Sequence, residues 1–296
     1  MTKSTAIPSA ATHLPLPLLE AALVLCWSSG FIGARFSIGH APAFLVVFWR
    51  CLVVALVLTP WVLAEVRRAP ARVLLRHAAL GLLAMAGYLA GVVGGIALGV
   101  PSGLAALIAD LLPMGTALLG VLLFGQRLAP RVWLGMLLGA LGVGLMTAGA
   151  LRLGDAPLWA YALPLLGMLS LAVATLWQPG EGGLGVLANL WVQSLASAGA
   201  FALLAWAQGG LAPRLEQGFV LSVLWTAGLA NLGGYGLYWL CLRRASAARV
   251  ASVLYLSPAV TLLAGAWLFG EPLGGGMLLG MVVAAAGIAL VLRAPR

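Results

Sequence analysis

One block of this sequence occurs twice, and no acceptable fold can ignore it. A shift of about 145 residues lays Pro113 on Pro258, Thr116 on Thr261, Phe124 on Phe269, Gly125 on Gly270, Gln126 on Glu271 and Leu128 on Leu273. The register continues through Gly135 on Gly280 and Gly142 on Gly287. The chain must therefore be assembled from two like modules.

Each module is made of apolar stretches of about 20 residues, ten in all. They fall near Leu16–Ser37, Pro42–Ala64, His77–Leu98, Ser102–Phe124, Pro130–Ala150, Leu158–Trp177, Leu184–Ala207, Phe219–Leu242, Ala247–Phe269 and Leu273–Leu292. At about 1.5 Å per residue, each is long enough to cross a hydrocarbon core of about 30 Å. With 8% of residues charged and 63% apolar, the chain cannot coat a soluble globule. The expected fold class is all-α, a polytopic membrane protein of ten transmembrane helices. Its 39 glycines suit helices packed backbone to backbone in lipid.

The expected division is residues 1–15 as a cytoplasmic tail, 16–150 as the first five-helix repeat, 151–292 as the second, and 293–296 as a short C-terminal tail. The first 15 residues carry no apolar core with a small-residue cleavage site, so they read as a tail and not as a signal peptide. The join around Leu151 to Pro157 is too short to be a domain linker.

Counting basic residues on alternate sides sets the orientation. With the N-terminus inside, the cytoplasmic set is Lys3, Arg67, Arg68, Arg72, Arg76, Arg127, Arg131, Arg243, Arg244, Arg249, Arg293 and Arg296. The outer set is only Arg35, Arg152 and Arg214. The imbalance predicts both termini in the cytoplasm. Five helices per repeat is an odd number, so the second copy enters the membrane from the opposite side. Two inverted repeats around a central cavity are a recurrent way to build a transporter with alternating access.

Composition and motifs exclude several functions. The net charge of +9 comes from residues between apolar segments, not along one face, which argues for membrane orientation and against nucleic acid. Cys26, Cys51 and Cys241 have no metal-ligand spacing, and His13, His40 and His77 lie in the tail or at expected helix ends. Without a carboxylate pair, His/Cys cluster, nucleophile elbow or Walker loop, neither an enzyme nor ATP-driven transport is expected, and no cofactor or metal is implied.

Asp110 is the one acid near the middle of an apolar stretch. A carboxyl at that depth is expensive and should face protein or a wet cavity. Two readings are open: a site for a coupling proton or a substrate ammonium, or a structural ion pair with Arg50, which lies at matching depth. Pro113 and Pro258 each remove a helical hydrogen bond, freeing the carbonyls of Ala109 and Leu254, and are candidate hinges. Asn231, Tyr235 and Tyr238 share one helix face, and Gly87-Tyr88 matches Gly234-Tyr235 at an offset of about 147. These residues are candidates to wall a substrate site, while Trp177 reads as an anchor or a gate. The ridge Gly87, Gly91, Gly95, Gly99 and the pairs Gly135/Gly139 and Gly276/Gly280 read as packing surfaces. The pairs on helices 5 and 10 could equally mark a homodimer face, so monomer and homodimer both stay open.

Taken together, the sequence resembles the drug/metabolite transporter superfamily in its EamA-like branch. The match is carried by Trp27-Ser28-Ser29-Gly30-Phe31, Arg50, Pro113 with Leu122-Leu123-Phe124-Gly125-Gln126, and Pro258 with Leu268-Phe269-Gly270-Glu271. Within that branch it is most similar to the YddG-type exporters of bacteria. The resemblance implies an inner-membrane exporter of aromatic and other apolar amino acids or related metabolites. It also implies a basket of helices 1, 3, 4, 6, 8 and 9, which places Trp27, Ser28, Tyr88, Asp110, Asn231, Tyr235, Tyr238 and Tyr255 on cavity-lining helices. An Arg in helix 2 is common in the family, which leans Arg50 toward structure. Gln126 departs from the Glu often found there. Competing functions are efflux of aromatic cationic drugs through cation–π contacts, and a non-transporting scaffold.

Overall fold

Apolar runs this long form helices in a membrane because no water is present to satisfy a backbone left unpaired. The computed structural model describes residues 14–37, 40–100, 102–148, 156–177, 183–269 and 274–293. Among the described residues all regular structure is helical. In chain order the helices are α1 (Leu16–Ser37), α2 (Ala43–Arg68), α3 (Ala71–Ile96), α4 in two pieces (Ser102–Ala109 and Leu112–Phe124) and α5 (Pro130–Thr147). They continue as α6 (Leu158–Leu176), α7 (Val186–Ala207), α8 (Gln217–Leu242), α9 (Ala247–Val253 and Ser257–Phe269, joined by a 3₁₀ turn at Leu254–Leu256) and α10 (Gly275–Leu292). Residues 1–13 and 294–296 of the expected tails, the join at 151–155 and Glu271 lie outside the described residues.

Seven helices among the described residues are long and apolar enough to cross a membrane, and α1 and α5 contain shorter apolar stretches, Leu16–Gly30 and Pro130–Leu145. Large apolar side chains such as Leu122, Leu203 and Trp267 stand well exposed, an arrangement suited to lipid and not to water. Trp61, Trp159 and Trp206 are exposed near helix ends, where indoles anchor at the headgroups. The protein is a polytopic all-α membrane protein.

The repeat extends to element boundaries. Moving 145 residues along takes both pieces of α4 onto the two long pieces of α9 and α5 onto α10, end to end. The expected start of the third helix at His77 is late: α3 begins at Ala71, leaving only Ala69 and Pro70 between it and α2. Arg72 and Arg76 are long enough to reach polar surroundings from a helix that is still apolar along its other faces, so they do not end it.

The chain packs as two compact units, a different partition from the two repeats. The first comprises residues 1–81 and 179–244. Here α2 lies along α7, with Val62, Val66, Ala188 and Val192 filling one end and Leu45, Val46, Ala205, Phe219 and Val223 the other. In the same unit α1 lies along α8, close enough that a Cβ on Gly33 would meet Thr226 and Trp225 at 2.6 Å.

The second unit comprises residues 82–178 and 245–296. In it α5 lies on α10 and α3 on α6. A Cβ on Gly135 would come to 2.6 Å from the Gly287 carbonyl oxygen, and one on Gly91 to 2.5 Å from that of Leu163. Gly135 and Gly139 are thus committed to contacts within the chain, to α10 and to the ring of Tyr255. Under the shift of the repeat, α1 with α8 becomes α6 with α3, while α2 with α7 and α5 with α10 map onto themselves.

Candidate functional site

Two breaks in helical geometry position the candidate residues. The first is a pair of π-helical segments, Leu82–Gly87 in α3 and Thr226–Tyr235 in α8, at positions related by the repeat. Such segments widen a helix by one residue per turn and often occur at functional sites. Sequence reasoning missed them, although glycines mark both: Gly81 and Gly87 in α3, Gly228, Gly233 and Gly234 in α8. Serines cap carbonyls around the α3 segment, Ser197 donating to Gly81 at 3.1 Å and Ser170 to Leu83 at 2.8 Å.

The widened part of α8 carries Asn231 and ends at Tyr235. Asn231 is fully buried, Tyr235 and Tyr238 nearly so, and Trp27 of α1 is half-buried. The Trp27 ring lies 5.1 Å from that of Tyr235 and 5.4 Å from that of Tyr238, tilted against each. This separation and tilt suit attraction between ring quadrupoles. One turn away, the Asn231 amide Nδ2 points at Cys51 Sγ of α2 at 3.8 Å, and Arg50 also reaches that sulfur. The first unit therefore gathers Trp27, Arg50, Asn231, Tyr235 and Tyr238. Ser28, the other candidate on α1, is buried and donates to the Val24 carbonyl of its own helix at 2.7 Å.

The second break interrupts α4 and α9. A continuous helix over 102–124 kinked at Pro113 is the sequence expectation, but the helix stops at Ala109, turns through Asp110 and Leu111, and restarts at Leu112. Pro113 then sits in the first turn of a new helix, where its missing N–H costs nothing. In α9 the 3₁₀ turn Leu254–Leu256 does the same for Pro258. Asp110 and Tyr255 are repeat mates, one in each break, and Asp110 lies within electrostatic reach of the Tyr255 hydroxyl. Tyr255 is packed among Val143, Ala259, Ala284 and Ile288 with no hydrogen-bond partner for its hydroxyl. The hydroxyls of the repeat mates Thr116 and Thr261 are likewise buried without a partner. Asp110 itself is half-buried.

Tyr88 follows the α3 π segment in the second unit and is 8% exposed. Trp177 closes the C-terminus of α6 with 39% of its surface exposed. Arg50 belongs to the first unit and Asp110 to the second.

A polar network that the sequence does not announce lies in the first unit. His77, expected at a helix end, is buried inside α3. The Leu184 N–H donates to His77 Nε2 at 3.4 Å, so Nδ1 carries the proton and donates to Asn189 Oδ1 at 2.6 Å. Gln193 Nε2 donates to the same oxygen at 2.8 Å, and Trp239 Nε1 donates to Gln193 Oε1 at 2.9 Å. Glu65 accepts the Gly185 N–H at 2.6 Å, and Arg243 donates to the Leu184 carbonyl. Helices α2, α3, α7 and α8 are thereby tied at one end. Asn189→Leu removes the acceptor of two buried donors at about 1–3 kcal/mol each. The expected result is a fall of roughly 5 °C or more in the melting temperature of the detergent-solubilised protein.

The EamA-like transporter family matches residues 17–148 and again 158–293, one match per repeat. A protein of Salmonella typhimurium strain LT2 called "Probable amino-acid metabolite efflux pump" is 28% identical over 90% of this chain and 91% of its own. "Uncharacterized inner membrane transporter YedA" of Escherichia coli strain K12 is 28% identical over 87% of this chain and 85% of its own. A crystal structure with 18% sequence identity superposes with a TM-score of 0.79, covering 93% of this chain and 95% of the other, and so shares the fold. The family matched by both repeats and the names of these relatives give the class: a membrane transporter, not an enzyme. The chain belongs to the EamA-like transporter family.

Proposed function

We propose that this transporter exports aromatic and other apolar amino acids, or metabolites derived from them, across a bacterial inner membrane. The observation that carries the reading is the Trp27–Tyr235–Tyr238 aromatic group with the buried amide of Asn231 one turn away on α8. Such a group offers flat apolar faces to a side chain and a polar handle to an amino-acid head. The Salmonella relative, named for amino-acid metabolite efflux, supports the same substrate class. Its affinity to YddG-type exporters in particular rests on the sequence motifs.

In this reading both termini are cytoplasmic, and residues 16–150 and 151–292 act as inverted halves around a central site. They alternate by bending where Pro113 and Pro258 follow the helix breaks. Tyr88, Tyr255 and Ser28 contribute to the wall of that site, and Trp177 serves as a gate. Asp110 carries a coupling proton, and the working unit is a monomer, because the α5 glycine ridge is already occupied within the chain. Efflux of cationic drugs is disfavoured by Arg50, a buried guanidinium that shares the Cys51 sulfur with Asn231, one turn along α8 from Tyr235.

Proteoliposomes loaded with labelled phenylalanine, threonine or methionine test the proposal. Wild-type protein is expected to move phenylalanine, and Trp27→Ala or Tyr235→Ala to lose about tenfold in transport efficiency, equivalent to about 1.4 kcal/mol. No flux of any of the three amino acids through wild-type protein overturns it.

A further inference from the structure

Arg50 and Asn231 are both buried and both incompletely satisfied, with opposite polarity. Arg50 is 7% exposed in α2, and its Nε–H has no acceptor. Asn231 is fully buried in α8, and its Oδ1 has no donor. A buried guanidinium is costly unless an anion or full hydrogen bonding compensates it. Glu65 of the same helix cannot serve, being fifteen residues or about 22 Å along α2 and bonded to the Gly185 N–H.

The two groups are close to each other. Asn231 Nδ2 stands 3.8 Å from Cys51 Sγ, and the Arg50 guanidinium reaches the same sulfur. Each thus has one partner and one atom unused: a cationic donor on Arg50 and a neutral acceptor on Asn231. The ligand chemistry complementary to that pair is an anionic acceptor and a cationic donor held a few ångströms apart on one small molecule. An α-amino acid in its zwitterionic form has this arrangement, with carboxylate and ammonium on one carbon. Its third substituent would then point along α8 by one turn, about 6 Å, toward Tyr235 and the half-buried Trp27 beside it.

We infer that Arg50 and Asn231 form a clamp for the amino-acid zwitterion, Arg50 taking the carboxylate and Asn231 Oδ1 the ammonium, with the side chain on Trp27 and Tyr235. This rests on the amino-acid reading above and deepens it. It turns Arg50 from a structural arginine into a specificity-determining one. The substrate class becomes molecules bearing both charges, so that amines without a carboxylate, and acids without an amine, are rejected.

The test measures binding of three probes to the detergent-solubilised full-length protein: phenylalanine, phenylethylamine and 3-phenylpropionate. Wild-type protein is expected to bind phenylalanine at least about tenfold more tightly than either analogue. Arg50→Gln is expected to lose about tenfold or more for phenylalanine and less than about twofold for phenylethylamine, while Arg50→Lys recovers part of the loss. Asn231→Asp, which places an anion by the ammonium site and neutralises Arg50, is expected to reverse the preference toward phenylethylamine. Equal binding of all three probes by wild-type protein overturns the clamp even if Arg50→Gln fails to fold. Normal phenylalanine binding and discrimination in Arg50→Gln overturns it as well. Binding of phenylethylamine with no binding of phenylalanine by wild-type protein overturns the amino-acid reading itself, and is thereby distinguished from failure of the clamp alone.

Discussion

Gly135→Val is expected to yield no monodisperse protein on extraction from the membrane. A Cβ at this position would stand 2.6 Å from the Gly287 carbonyl oxygen and 2.7 Å from Val291 Cγ2. One of those neighbours is backbone, so relief requires α5 and α10 to separate, not a side chain to turn. The valine adds two methyl groups beyond that Cβ. Overpacking of a tight core costs about 1–3 kcal/mol where the surroundings can give, and more where they cannot. In lipid the loss is not offset by any hydrophobic drive holding helices together, because helix association there depends on close packing. Gly144→Val on the same helix is the control: nothing lies within 4 Å of its Cβ position, and size-exclusion profiles of this variant should match wild type. A well-folded Gly135→Val protein would mean that α5 and α10 do not pack as described.

The same glycines show how much of the fold was legible. The repeat register, carried by prolines and glycines, set the ends of α4, α5, α9 and α10 because those residues act locally, through a missing donor or a missing Cβ. The ridge Gly87, Gly91, Gly95 announced a close contact but not its partner, since α3 could have met any helix; in the folded chain it meets α6. The two π segments were not legible as such. Glycine marks a place where a helix can deform, but the deformation is decided by what packs against it.

The candidate site was legible only in part, for a similar reason. Trp27, Asn231, Tyr235 and Tyr238 stand out because helical spacing puts the last three on one face, and the structure adds α1 against them. His77, Asn189, Gln193 and Trp239 do not, because no spacing rule connects His77 with Asn189, 112 positions away, or Gln193 with Trp239, 46 positions away, until α3, α7 and α8 meet. Depth alone sets Arg50 against Asp110. In its own unit its neighbours are Cys51 and Asn231, which no one-dimensional pattern brings together.

Asp110→Asn is expected to abolish accumulation of substrate driven by a pH gradient while leaving exchange intact. An acid in an apolar helix disfavours insertion by about 2.5–3.5 kcal/mol at mid-membrane, so a chain with one such acid has a use for it. Asp110 occupies a turn between two helical pieces and is half-buried, so its carboxyl is not locked into a continuous helix. Its repeat mate Tyr255 brings a hydroxyl without a partner into electrostatic reach, and a hydroxyl supplies no positive charge to hold the carboxyl ionised. A carboxyl so placed can take up and release a proton as the surrounding halves change access, and Asn, of nearly equal size, cannot. In inverted vesicles with an acidic lumen, one proton leaving per substrate entering supports about tenfold accumulation for each pH unit of gradient. Wild-type protein should approach that ratio, and Asp110→Asn should stop near equal concentrations on the two sides. Counterflow at equal pH, which needs no net proton movement, should stay within about threefold of wild type. Were Asp110 only a packing or ion-pair residue, the two activities would fall together or not at all. Tyr255→Phe, which deletes the unpartnered hydroxyl but keeps the ring on Gly139, should change neither by more than about threefold, since no hydrogen bond of the fold depends on that oxygen.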